Sequence, residues 1–477
     1  VTELAFWALQ VVLLAAALRG PRWAMMVLAF SVPISRRMPA IPVPLLNYQN
    51  LLVLAAILSY AMHPPAKGAP GGRIRHAAAL AVLGVLFTAS FINTVATFTP
   101  KQFPRLWDPY RNAQVFRSLL MCFGVYALTC LAVRTRDDLL DILKAGVAGS
   151  ILAGVHSAYE FLILRPGRVT GYMDEPNNMG SFLACSVTLL LAMILVLPRS
   201  HLLWWPSAIG CAAGAVGLLG TLSRGAYVAA AAGFLVITLL ANRRVLAVGI
   251  AAMALNALWL PDVVKERIDS TIVPEEAEGW RFREGKGDEG SPLIALINEE
   301  LNAEAELTEE GEAEALRLDG SVQSRLVTWT VALEVVADYP LGVGFGVFPW
   351  YMHYYSNVVR FKATHNIYLK IATETGILAL LVFLYAVFLL GRDALRVGRA
   401  APDPEIRALG LGMFTYLITL MVSALSVDLF FQVEVNGHFW AMMGALAQAP
   451  LILRPAAEPA PAAGGATLER PLYELVR

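Results

Sequence analysis

Apolar residues run in long, nearly unbroken stretches along this chain, separated by short polar loops that hold most of the charge. About thirteen such stretches occur, near 3–18, 23–35, 45–62, 77–97, 113–133, 139–163, 178–197, 203–222, 225–241, 244–260, 366–391, 408–428 and 434–453. Runs of roughly 17–25 apolar residues predict transmembrane helices. Hydrocarbon offers backbone N–H and C=O groups no partner, and a helix satisfies them internally. The first two stretches are short, so the pattern predicts twelve or thirteen spans. One long polar interval, from Pro261 to about Thr364, interrupts the rhythm. The predicted fold class is therefore all-α: a polytopic membrane protein with one large extracytoplasmic loop.

The loops also predict an orientation. The alternate set that includes Arg19, Arg22, Arg134, Arg136, Arg243, Arg244, Arg392, Arg399 and Arg407 has about twice the Lys and Arg of the opposite set. That set is expected in the cytoplasm, which puts the Pro261–Thr364 interval outside. No basic segment precedes the first apolar run, so it does not read as a signal peptide, and Val1 is expected outside. The chain divides into an N-terminal transmembrane bundle (1–260), an extracytoplasmic loop (261–364), C-terminal transmembrane helices (365–453) and a Pro/Ala-rich, disordered cytoplasmic tail (454–477). Within the loop, Glu275–Asp319 is strongly acidic, opposed only by Arg281, Arg283, Lys286 and Arg317. Its second half, Pro292–Leu318, has helical composition. The loop reads as a solvated, partly helical cap.

Composition adds exclusions. Of 477 residues, 57% are hydrophobic and 16% charged, against about 25% charged in soluble domains. That argues against a cytosolic enzyme and against a disordered chain. Basic and acidic residues balance at 37 each, which removes any bulk-charge case for nucleic acid as a partner. Cys122, Cys130, Cys185 and Cys211 all lie in apolar stretches and are expected to be buried free thiols.

Four polar clusters fall at the predicted outer edges of the membrane, where charge is costly and tends to be functional. The first, Arg168–Asn178, is a tight loop leading into a helix start at Pro176, with Asn177 and Asn178 beside it. Such a start collects free N–H groups and suits an anion or a plain cap. The second, Thr221–Tyr227, sets Arg224 between two apolar helices with almost no loop. Arg224 cannot deprotonate there and needs an anion, a carbonyl or lipid phosphate. The third begins with Ser324 and Arg325 and continues to Gly346. Leu326, Trp329, Leu333 and Val336 recur at helical spacing and predict an amphipathic helix on the membrane surface. Gly342, Gly344 and Gly346 follow no strand and precede no Gly-Lys-Ser/Thr, so a flexible turn accounts for them better than a phosphate loop. The fourth runs from Lys362 through His365 and Tyr368 to Gly376. Lys362, His365 and Tyr368 share a face if the helix begins early. His365 is the candidate base near neutral pH. No Asp-x-Asp, His-x-x-His or His-Glu-x-x-His motif is present, so no metal ligands and no cofactor are predicted.

The segments RVTGYMDEPNN, TLSRGAY and SRLVTWTVALEVVADYPLGVGFGVF, followed by THNIYLKIATETG, resemble the bacterial O-antigen ligase and polymerase superfamily over roughly residues 100–450. The resemblance implies an inner-membrane glycosyltransferase with its site facing the periplasm. It implies a donor glycan on undecaprenyl diphosphate and an acceptor that is a glycan (polymerase) or lipid A–core (ligase). The lipid bilayer is implied as a partner, with other polysaccharide assembly proteins as further candidates. By position, Arg224 and Arg325 would stabilise the diphosphate, His365 would deprotonate or orient the acceptor hydroxyl, and Arg168 and Asn177 would shape the donor site. Lys362 and Tyr368 join them on the shared-face argument. The absence of a paired carboxylate nucleophile near these clusters favours direct, inverting transfer, and arginines with one histidine base and no metal motif suit metal-independent transfer. Two rivals stand beside this reading: a lipid-linked glycan transporter, and a non-catalytic subunit of a polysaccharide export complex.

Overall fold

The computed structural model describes residues 2–38, 47–64, 72–99, 107–173, 175–254, 261–269, 272–274, 316–318, 320–355 and 362–453. Most of the acidic insertion and the whole 454–477 tail lie outside these residues. Helix forms at every predicted apolar stretch. In order they are α1 (Thr2–Ala17), α2 (Pro21–Ser31), α3 (Tyr48–Met62), α4 (Ala77–Thr97), α5 (Pro109–Ala132), α6 (Arg136–Tyr159), α7 (Pro176–Val196), α8 (Trp204–Gly220), α9 (Arg224–Ala241) and α10 (Arg243–Ala254). There follow α11 (Asp262–Asp269), β1 (Ile272–Pro274), β2 (Leu316–Leu318), α12 (Gly320–Asp338), α13 (Phe348–Tyr355), α14 (Ile367–Thr375), α15 (Ile377–Ala400), α16 (Pro404–Ser423) and α17 (Val433–Ile452).

Among the described residues, 7 helices are long and apolar enough to cross a membrane: α4, α5, α6 with its extension to Leu164, α7, α9, α15 and α16. This is fewer than the twelve or thirteen expected, for local reasons. α1, α3 and α8 have 16, 15 and 17 residues, against about 20 for a full span, and α2 turns into a 3-10 segment at Val32; the predicted span over 366–391 is α14 and α15 divided at Gly376, of which α15 is the long one. The chain is a multi-pass membrane protein.

Helix starts follow their capping residues. Asn47, Asp108, Glu175, Asn366 and Asp403 each accept hydrogen bonds from free N–H groups of the helix that follows, and Thr135 forms a capping box with Asp138. Pro109, Pro176 and Pro404 then occupy the first helical position, where no N–H is needed.

α7 and α16 are the most enclosed spans and pack on each other, while α4 and α9 leave most of their surface on the outside of the bundle. With apolar lipid as the alternative solvent, close packing and interhelical hydrogen bonds replace the hydrophobic drive. Ser423 donates to Ser181 (2.6 Å) and the Thr188 and Thr419 hydroxyls bond (3.2 Å) across the α7–α16 seam. α6 and α8 meet through Gly154 and Gly210, where a Cβ on Gly154 would stand 3.0 Å from the Gly210 carbonyl.

The end of the bundle predicted to be cytoplasmic is tied by ion pairs: Arg22 with Asp138 and Asp141, Arg136 with Asp403, Lys144 with Glu405, and Arg75 and His76 with Asp393. Cys122, Cys130 and Cys185 are buried and Cys211 is half-buried; all four are free.

Two sequence expectations change. β1 and β2 pair antiparallel, with Val273 opposite Arg317, so the last residues of the predicted helical stretch Pro292–Leu318 form a strand edge instead. The helix expected on the membrane surface is α12, but its buried stripe is Ser324, Thr328, Val331, Ala332 and Val335, packed with Phe348 and Met352. Leu333, expected on the apolar face, is 52% exposed. α13, which carries Phe348 and Met352, and α14 both pack against α12.

Candidate active site

The opposite end of the bundle gathers the predicted site residues. The turn between α8 and α9 is only three residues long. Leu222 adopts a left-handed conformation (φ 51°), and α9 opens directly on Arg224. The carbonyls of the turn that closes α8 lie beyond its helical ladder. Arg168 supplies their donors: its Nε donates to the Thr221 carbonyl (2.9 Å) and its Nη2 reaches the Leu222 carbonyl (3.5 Å). Arg267 of α11 donates to the same Leu222 carbonyl (3.4 Å). Burial lowers the Arg168 pKa. The Arg267 charge lowers it further, Glu175 and Tyr227 oppose this, and Arg224 adds to the lowering. Three guanidinium groups therefore sit within electrostatic reach, so an anion bound there would relieve their mutual repulsion.

The loop before α7 is built as rigidly. α6 ends in a π turn, Glu160–Leu164, a distortion common at functional sites. The buried Glu160 carboxylate accepts from the Thr170 N–H (3.1 Å) and the Gly171 N–H (2.7 Å). His156 stacks on Tyr172 at 3.9 Å. Glu175 caps α7 through Asn178 N–H and accepts from Asn177 Nδ2 (both 2.8 Å), and Asn177 Oδ1 accepts from Arg168 Nη2 (3.2 Å). Arg168 and Asn177 thus meet.

His365 is delivered from the other side. Trp329 of α12 donates its indole N–H to the Thr364 carbonyl (2.9 Å), and Ile367 N–H bonds the Ala424 carbonyl (2.9 Å). Between these anchors His365 takes a left-handed conformation (φ 47°), and Asn366 caps α14. The helix therefore begins at Ile367, and the face expected to unite Lys362, His365 and Tyr368 does not form. Lys362 donates to Ser324 Oγ (2.6 Å). Tyr368 turns into the bundle, donating to the Met421 carbonyl (2.8 Å) and packing edge-on against Phe383. Arg325, one residue after Ser324, lies within electrostatic reach of His365.

Solvent reaches His365, but protein crowds its ring, and that desolvation is the largest influence on it. Desolvation lowers its pKa from 6.5, Asp428 raises it, Arg325 and Lys370 lower it, and Glu175 raises it. The net lowering leaves a neutral imidazole at pH 7, able to accept a proton. In any reaction that uses His365 as base, the acid limb of kcat/KM is expected below pH 6.5. Removing a neighbouring positive charge favours the protonated ring, so Arg325→Gln should move the limb to higher pH. Asp428→Asn removes a negative charge and should move it lower. A pH–rate profile checks both signs, and a limb that neither substitution moves would rule His365 out as the titrating group.

Carboxylates also enter the site, each paired with a lysine. Lys370 Nζ is 3.6 Å from Glu374 and 3.4 Å from Asp428. Burial by itself would raise the Asp428 pKa, but Lys370 and His365 outweigh it and hold the carboxyl below its ordinary value. The Gly342–Gly346 segment is not a flexible turn. It crosses the broken end of α14 as hydrogen-bonded backbone: Val343 N–H to the Thr373 carbonyl (2.8 Å), Gly344 N–H to the Glu374 carbonyl (3.0 Å), and Ile377 N–H to the Pro340 carbonyl (3.0 Å). Gly346 N–H reaches the Glu374 carboxylate. Thr94 and Asn112 donate to the Phe345 carbonyl from α4 and α5.

Arg267, Glu160 and Asp428 were not singled out from sequence, and no local spacing marks them. Glu175 stood inside the first motif, and Lys370 and Glu374 stood four apart inside the last. That i,i+4 pairing was the available signal. Among the described residues no three His, Cys, Asp or Glu side chains cluster as metal ligands.

Residues 209–384 match the family described as O-antigen ligase. The matched range includes Arg224, Arg267, Arg325, Lys362, His365 and Glu374, while Arg168 and Asn177 precede it and Asp428 follows it. No curated protein matches the chain.

Proposed function

We propose, from the motifs and from the match of residues 209–384 to the O-antigen ligase family, that this chain is a member of the O-antigen ligase and polymerase superfamily and transfers a glycan from an undecaprenyl-diphosphate donor to an acceptor sugar hydroxyl. The site faces the periplasm from the inner membrane, and the product is an O-antigen-type or related surface polysaccharide. The observation that carries this reading is the convergence at one end of the bundle. Arg168 and Asn177 bond each other, Arg224 and Arg267 lie in the electrostatic environment of Arg168, and Arg325 and Glu175 lie in that of His365.

In this reading the arginines hold the donor diphosphate and neutralise the charge that grows on it as it leaves. The acceptor hydroxyl oxygen attacks the anomeric carbon, and the bond from that carbon to the diphosphate oxygen breaks with its electron pair. His365 takes the hydroxyl proton. The products are the lengthened glycan, with inverted anomeric configuration, and undecaprenyl diphosphate. Glu175 is engaged as a helix cap, and Glu374 and Asp428 are engaged with Lys370, which supports single displacement over a glycosyl-carboxylate intermediate.

The test uses purified protein in liposomes with an undecaprenyl-diphosphate-linked repeat unit, with and without lipid A–core, in the presence of EDTA. A ladder of longer lipid-linked glycans without added acceptor identifies a polymerase. Product that needs lipid A–core identifies a ligase. No His365-dependent product with either acceptor overturns the proposal, and activity that EDTA abolishes and Mg²⁺ restores overturns its metal-free form.

A further inference from the structure

Asp428, whose charge acts on His365, also lines a cavity of about 220 Å³. One wall is the Ile367–Glu374 face of α14, and the others come from α4, α5, the glycine crossing and the segment entering α17. Its polar groups are Lys370, Glu374, Thr375, Asp428 and Gln432, with exposed Arg111 on its rim. Its apolar walls include the rings of Phe87, Phe345 and Phe431, which pack edge-to-face with Phe87 in the middle.

Chemistry narrows what such a cavity holds. Drug-sized ligands occupy roughly 300–1,000 Å³, so this space suits a single small ring. Lys370 and Arg111 balance Glu374 and Asp428, and Lys370 is already shared between both carboxylates. A phosphate would face two carboxylates across a cation that is already neutralised. An acyl chain would offer no donor to the carboxylate lone pairs that Lys370 leaves open. A pyranose offers both things the cavity lacks: hydroxyl donors for the spare carboxylate lone pairs and a flat C–H face for the phenylalanine rings.

We propose that this cavity is a carbohydrate subsite that holds one uncharged pyranose of the acceptor glycan. The inference rests on the glycan-transfer reading for the word acceptor. The subsite itself rests on the cavity. Asp428 joins the two, because it pairs with Lys370 in the cavity and lies within electrostatic reach of His365.

The experiment is saturation-transfer NMR on the full chain in lipid nanodiscs. The probes are methyl pyranosides of hexoses, 6-deoxyhexoses, N-acetylhexosamines and a heptose, with inorganic phosphate as a separate probe. At least one methyl pyranoside is expected to bind. Glu374→Gln and Phe431→Leu, each first shown to unfold thermally like wild type, are expected to weaken it by about tenfold or more. His365→Ala is expected to leave it unchanged. Saturation that both cavity variants leave intact, or none across the panel, overturns the subsite. So does phosphate binding that depends on Lys370. Because the readout is binding, glycan transfer without cavity-dependent sugar binding removes the subsite alone. Sugar binding in a protein that transfers no glycan removes the transfer reading alone.

Discussion

Glycan transfer is expected to fall by about 10²–10⁴-fold when His365 is replaced by alanine, the usual contribution of a positioned general base. The structure gives this substitution little else to disturb. His365 sits in a three-residue link held at both ends by backbone carbonyls, Thr364 to Trp329 and Ala424 to Ile367. Its ring is not part of either anchor. Arg224→Ala and Arg325→Ala are each expected to cost about 10²–10³-fold, as for other donors that meet developing charge. The double variant should lose less than the product of the two, because groups acting on one charge are not additive. Single-turnover rates at saturating donor measure these losses. The same variants separate the rivals. A transporter with polar residues at this end would lose translocation with His365→Ala, and a non-catalytic subunit would tolerate all three substitutions. Full transfer activity in His365→Ala would sink the assignment of the base.

The second large effect is on the fold. Gly376→Ala is expected to destabilise the protein by about 2–6 kcal/mol, from backbone strain of about 1–3 kcal/mol and overpacking of similar size. Gly376 has φ 100° and ψ 165°, a region that side chains avoid, and an added Cβ would lie 2.7 Å from the Leu341 carbonyl carbon. The contact is backbone against backbone, so no rotamer can relieve it. Gly342 is the reciprocal half of the crossing: φ 88°, with a Cβ 2.7 Å from Gly376 N. Displacing either strand would release the bonds from Val343 and Gly344 that hold the end of α14, and with them Lys370 and Glu374. Thermal unfolding in detergent, followed by tryptophan fluorescence, checks this. Gly124→Ala on α5, where a Cβ meets nothing within 4 Å, is the control and should not lower the midpoint. Equal midpoints for Gly376→Ala and wild type would show that the crossing does not support the fold.

Sequence by itself determined the helices, their starts and the arginine caught between two of them. The reason is range. Helix formation answers to hydrophobic runs and to a cap within one turn, so Asp108-Pro109, Glu175-Pro176 and Asp403-Pro404 mark their helices locally. Arg224 was legible because nothing but a short turn separates α8 from α9.

Tertiary structure alone decided which distant charges meet and what the glycines do. Arg168 caps a carbonyl 53 residues away, and Lys370 pairs with Asp428 from beyond a whole transmembrane hairpin. Neither partner is visible in a local window. Gly342, Gly344 and Gly346 read as a loose turn because a positive φ and a flexible link look alike in sequence. Their purpose appears only when the backbone of α14 lies against them. Tyr368 shows the same limit on a smaller scale. Its spacing from His365 was correct, but Asn366 starts the helix after His365, so one residue turns inward and the other stays at the surface. Periodicity specifies the face a residue occupies within a helix. What abuts that face depends on contacts made across the whole bundle.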